Sequence, residues 1–252
     1  MPTTATEQLY LELVNRSRMD PGGEFARYST GEYKGEITFF GVDMGEFKVA
    51  MDAFSPVHPY AWNDQLSDAG YINNDLLIEY DTQGHFAGGT TPESRAREAG
   101  FEGSPGENVY AYSETPEQSQ AGFMIDWGYD DGDYINGKLR DDWKSFGDGM
   151  QDPAGHRNNI MSSNLDIIGI AITDELDPST KVGPILVTQM FSYSSDIFMV
   201  GVVAFDEDGD AFYDIGEGLG GITVDLKGTN RSYHTETWES GGYQIAVDPG
   251  LY

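Results

Sequence analysis

The chain has 252 residues, 38% of them hydrophobic, with 15 Tyr, 13 Phe and 4 Trp, enough apolar material for a folded core. Asp and Glu number 43 against 14 Lys and Arg, a formal net charge of −29, so the surface repels nucleic acid and anionic membranes and attracts cations. There is no cysteine, which excludes disulfides and thiolate metal sites, and no apolar run reaches the ~18 residues that a membrane helix needs.

The opening MPTTATEQ lacks both a basic region and an apolar run, so either there is no secretion leader or one has been removed; the second reading is favoured. Thr4 and Glu7 have capping-box spacing, and Leu9, Leu13 and Ser17 fall on one face, which predicts a first helix ending at Asp20-Pro21-Gly22-Gly23. Gly31, Gly35, Gly41 and Gly45 suggest a loop-rich insertion over 24–60, with at most a short helix at Glu24–Tyr28. Asn63 caps a second helix, in which Leu66, Ala69, Asn73, Leu76 and Tyr80 recur at three- and four-residue steps. Thr91-Pro92 and Thr115-Pro116 each place a cap before a proline suited to the first helical position, opening a third helix that stops at Gly100 and a fourth that runs to about Trp127. An insertion rich in Asp and Gly follows over 128–152, then a short helical turn from Asp152-Pro153 to Met161. Two strands, Ile167–Thr173 and Pro184–Ser192, are expected to close this part, which gives α+β layering.

Helix signals vanish after Ser194–Asp196. Met199–Phe205, Ile222–Lys227, Ser232–Trp238 and Tyr243–Val247 read as short strands of a small all-β sandwich domain. The expected division is 1–195 and 196–252, with the second domain continuing beyond Tyr252 and further domains in a longer natural chain. At about this size a domain needs help to stay folded, and a metal ion can supply it.

Such an ion has an evident place. Asp206, Asp208, Asp210, Asp214 and Glu217 fall at positions 1, 3, 5, 9 and 12 of a twelve-residue loop, with Phe212 offering a backbone carbonyl at position 7. This is EF-hand-type spacing: alternate carboxylates of a tight loop converge on a hard cation that wants six to eight oxygens. Ala211 stands where the loop ordinarily has glycine, and the flanks are strands. Residues 200–252 resemble the calcium-binding β-sandwich repeats of bacterial surface adhesins, which implies an extracellular spacer role and calcium as the cofactor.

A second constellation is spread along the first part: Gln83-Gly84-His85-Phe86, Thr91–Gly100, Gly106-Glu107-Asn108 and Gly155-His156-Arg157-Asn158-Asn159-Ile160. Two imidazoles and a carboxylate are a common zinc ligand set with one position left open, although each histidine alone is an ordinary surface group. Asp126, Asp130, Asp131, Asp133, Asp141 and Asp142 fit no loop template and read as a solvated acidic face rather than a second cation site. Arg157 is expected to hold a carboxylate or carbonyl, His58 shows no partner pattern, and His234 should point outward from a strand. No GxSxG, Walker or HExxH motif is present.

In their order, the four cleft pieces, together with LVNRSRMDP, AWNDQLSDAG, IIGIAI and ILVTQMFS, resemble the CAP (SCP-like) superfamily of secreted proteins over roughly residues 6–193. That resemblance implies a three-layer α-β-α sandwich with a cleft carrying two His and one or two acids. His85, Glu107 and His156 carry over directly; Asp126 is the best match to the second acid, beside the 128–152 insertion. It implies no single reaction. An extracellular binding module with a cleft for a divalent metal such as zinc or a small ligand comes first. A metal-dependent hydrolase of peptide or cell-envelope polymer, and a structural adhesin segment, are the alternatives.

Overall fold

The computed structural model describes residues 4–129, 134, 135, 138, 139, 141, 147–229 and 231–252. Asp130, Asp131, Asp133 and Asp142 of the acidic insertion lie outside the described residues.

Helix α1 (Ala5–Met19) begins with the expected capping box: Glu7 N donates to Thr4 Oγ1, and Thr4 N donates to the Glu7 carboxylate. It ends at Asp20, and the Asp-Pro-Gly-Gly that stops it also starts the next helix, because Pro21 occupies the first turn of α2 (Pro21–Tyr28). The expected loop-rich insertion over 24–60 is instead largely helical, with α3 (Lys34–Phe40) and α4 (Met44–Asp52). The glycines there punctuate helices: Gly41, at φ 72°, terminates α3, and Gly45 sits in the first turn of α4, donating to the Asp43 cap. Helices α5 (Asp64–Glu79), α6 (Pro92–Glu98) and α7 (Pro116–Ile125) start where their caps predict, with Leu66 N on Asn63, Ser94 N on Thr91 and Gln118 N on Thr115. Helix α8 (Gly155–Ile160) is the short turn after Asp152-Pro153.

Four strands, not the two expected, form the central sheet, in the order β1-β5-β6-β2. Strand β1 (Ala61–Trp62) runs parallel to β5 (Ile167–Asp174), whereas β5, β6 (Ile185–Ser192) and β2 (Gly106–Ser113) pair antiparallel. Alternation along β5 separates two cores. Ile168 and Ile170 join Tyr10, Val14, Phe123 and Met124 of α1 and α7, while Ile167 joins Leu66, Ala69 and Ala96 of α5 and α6. Helices therefore cover both faces of the sheet. The α5 side is close enough to need glycine: a Cβ on Gly169 would lie 2.0 Å from Ser67 N, and one on Gly70 would lie 2.9 Å from Ala171 Cβ. A two-residue pair, β3 (Tyr134–Ile135) with β4 (Lys138–Leu139), lies within the insertion.

Residues after 196 form strands and turns among the described residues. Strand β7 (Ile197–Val202) pairs antiparallel with β10 (Gly242–Val247), and β8 (Thr223–Lys227) pairs with β9 (Ser232–Glu236). This part is fastened to α1 and β1. Tyr213 is buried with Leu9 and Leu13, Gln244 exchanges hydrogen bonds with the backbone of Trp62, and Ser240 reaches Gln8.

Candidate functional site

The start of β2 anchors both histidine-bearing segments, His85 through Glu107 and His156 through Asn108. Glu107 is buried on it, and its two carboxylate oxygens are both engaged: Oε1 meets His85 Nδ1 at 2.8 Å, and Oε2 accepts from Arg95 Nη2 at 2.6 Å. Arg95, which sequence reasoning passed over, is fully buried in α6 and also donates to the His85 carbonyl and to Thr90 Oγ1. An arginine in ESRARE reads as a solvent-facing helix residue; only the fold shows that it neutralises the buried Glu107 and pins the loop that carries His85.

His156 has the same arrangement. Its Nδ1 meets Asp126 Oδ1 at 2.6 Å, and Asp126 Oδ2 accepts from the backbone N–H groups of His156 and Arg157. Asp126 is buried at the end of α7 in the left-handed conformation, φ 61°, which turns its side chain from its own helix toward the start of α8. The His156 ring packs against Phe123. Each histidine thus commits Nδ1 to a buried carboxylate, which fixes its ring and leaves Nε2 without a hydrogen-bond partner among the described residues. His85 is 43% exposed at the side chain and His156 20%.

The two histidines flank one strand. Asn108, next to Glu107, donates to the His156 carbonyl and to Gln189 Oε1, and accepts from Asn159 Nδ2. Gln189 donates in turn to Gln120, and Gln120 to Ser17 Oγ, so a buried amide chain runs from the cleft to α1. Arg157 departs from expectation: its guanidinium lies over the Phe47 ring, Nη1 has no partner among the described residues, and burial lowers its pKa. His58 has a partner after all, Asp166 Oδ1 at 3.1 Å, and His234 is exposed on β9 as expected.

In the acidic loop, donor atoms of Asp206, Asp208 and Asp210 lie within 4.8 Å of one another, and so do those of Asp208, Asp214 and Glu217. Among the described residues these are the groups of three or more metal-ligating side chains so placed; the cleft histidines are not in one. Backbone N–H groups hold the carboxylates inward: Gly209 and Ala211 donate to Asp206, Asp210 to Asp208, Phe212 to Asp210, and Glu207 and Asp214 to the two oxygens of Glu217. Ala211 takes φ 64°, so the backbone keeps the left-handed turn that glycine ordinarily supplies at that position. Partial desolvation, then repulsion from Asp210, Asp208 and Glu217, raises the pKa of Asp214. These donors are all hard oxygens, which fits calcium and not a soft metal.

No family model matches the chain, and neither does any curated protein. Among solved structures, an extracellular protein containing an SCP domain from Bacillus anthracis is similar at 15% identity and a TM-score of 0.39, over 55% of this chain. The match spans 35% of that protein's length. No helix among the described residues is long and apolar enough to cross a membrane.

Proposed function

We propose that residues 1–195 are a CAP-like extracellular binding module and that 196–252 form a calcium-stabilised β-domain that displays it. The observation that carries the cleft reading is the pair of imidazoles, each with Nδ1 anchored on a buried carboxylate and Nε2 left over. A carboxylate on the far ring nitrogen of a histidine is the usual arrangement for a metal ligand. In this arrangement Glu107 and Asp126 orient the rings, and His85 and His156 would hold the metal or small ligand through Nε2. Zinc bound there would supply Lewis acidity; with both carboxylates committed to the rings, the residues of this chain would orient the ligand.

The calcium reading rests on the convergence of the loop carboxylates around a backbone that already has loop geometry. The two sites are tested by titrating metal-stripped protein with zinc and calcium in a calorimeter. Zinc heat is expected to vanish in His85→Ala/His156→Ala and calcium heat in Asp208→Ala/Glu217→Ala. Zinc heat that survives the histidine change removes the metal reading of the cleft. Calcium heat that survives the loop change places calcium elsewhere.

A further inference from the structure

A cavity of about 290 Å³ lies between α1, α2, the start of α7 and the Phe212 side of the acidic loop. Its inner wall is apolar and aromatic: Leu9, Leu13, Tyr28 and Tyr33 are all buried there, and Phe212 closes the loop side. Tyr28 is 3% exposed, and burial, then the neighbouring Glu24 carboxylate, hold its hydroxyl well above its ordinary pKa.

The charges at the rim are unbalanced. Arg27 is held by Asp20 at 2.7 Å and Glu24 at 2.8 Å, and Arg16 donates to Glu24 at 3.1 Å while lying over Phe212. The rim carboxylates Glu32, Glu117 and Asp214 have no cationic partner among the described residues. Their field reaches the wall: burial, then Glu32 and Glu117, hold the Tyr33 phenol above its ordinary pKa. The cavity is therefore an aromatic-lined pocket with spent arginines and spare carboxylates, in a chain of net charge −29.

We propose that this cavity binds a small organic ammonium ion, seated among Tyr28, Tyr33 and Phe212 and neutralised by Glu32 and Glu117. Ring faces attract a desolvated ammonium, and nearby carboxylates add long-range attraction. A carboxylate or phosphate ligand would meet these acids with no free arginine to offset them.

The test uses the full chain with calcium present at physiological salt, so that the acidic loop is in the state proposed above and weak non-specific attraction is screened. Three isosteric probes are titrated, with binding read by ligand NMR and calorimetry: choline, neutral 3,3-dimethylbutan-1-ol and anionic 3,3-dimethylbutanoate. Choline is expected to bind at least about tenfold more tightly than the alcohol, with no measurable binding of the anion; 1.4 kcal/mol is tenfold. Phe212→Ala and Glu117→Gln should each weaken choline about fivefold or more, while Glu93→Gln, on the exposed start of α6, should leave it unchanged. Equal affinity for choline and the alcohol, tighter binding of the anion, absence of choline binding at 10 mM, or indifference to both cavity substitutions overturns the proposal.

Discussion

Replacing Arg95 with Met should be among the most damaging single changes in the cleft, although Arg95 touches no solvent. The guanidinium is fully buried and makes a 2.6 Å bond to Glu107, a 2.6 Å bond to Thr90 and two longer bonds to the His85 carbonyl. Removing it strands a Glu107 side chain that is 1% exposed. Breaking one half of a buried ion pair costs about 3–5 kcal/mol, most of it the penalty of the charge left behind. Glu107→Gln alone strands the arginine and should cost a similar amount. The double variant Arg95→Met/Glu107→Gln leaves neither charge, so its cost should fall well short of the sum, with a coupling energy of about 1.5–3 kcal/mol. Urea unfolding of the four proteins gives the cycle, with unchanged m-values as the check that the denatured state is common. A cost below about 1 kcal/mol for Arg95→Met, or additivity in the double variant, would refute the view that this pair is a desolvated, mutually dependent unit.

Gly169→Ala should destabilise by about 3 kcal/mol or more by urea unfolding, because its Cβ would lie 2.0 Å from Ser67 N and 2.2 Å from Leu66 C; Gly155→Ala, with nothing within 4 Å, should stay within about 0.5 kcal/mol of the parent. Ala211→Gly should relieve a left-handed alanine at φ 64° and raise calcium affinity or thermal stability, an effect of about 1 kcal/mol that paired melting curves would show. The raised pKa of Asp214 means that the calcium-free fold holds this proton more tightly than the unfolded chain does. The group therefore disfavours the calcium-free fold once pH passes above the ordinary carboxylate range, and calcium relieves that. Calcium titrations from pH 7 down to pH 4 should show weakening affinity with proton release on binding; pH-independent affinity would contradict this. Asp81 has the opposite sign: the Lys181 backbone N–H, foremost among its partners, lowers its pKa, so its stabilisation is present above about pH 4 and lost as pH falls through the depressed value. Asp81→Asn should flatten that part of the acid-unfolding curve.

The elements most legible in the sequence are those with a local chemical signature. Thr4 with Glu7, Asn63, Thr91-Pro92 and Thr115-Pro116 each announce a helix start, because the cap, its acceptor and the proline lie within a few residues of one another. Helices α3 and α4 were hidden because Gly35, Gly41 and Gly45 imitate loop composition while serving as first-turn and terminating residues. Strand β2 was hidden because its start carries buried Glu107 and Asn108, which break the apolar alternation that marks a strand. The candidate site divides in the same way. The acidic loop was readable because its groups lie within twelve consecutive residues, and the structure brings them together. The cleft residues were found through an ordered resemblance, but their pairing was not: His85 with Glu107, His156 with Asp126 and Arg95 behind Glu107 are products of tertiary packing.

The attachment of the last strands to the first helix bears on the order in which the molecule can be assembled. Helix α1 is made long before the residues that cover it: the Leu9 and Leu13 face waits for Tyr213, and Gln8 waits for Ser240, 232 residues further along. Until the chain has been made through residue 213, the Leu9 and Leu13 stripe lacks this cover. Closing so long a loop adds little to the equilibrium cost but much to the search. Truncation before residue 213 should therefore leave the Leu9 and Leu13 face uncovered, read as stronger binding of an apolar dye than the full chain shows.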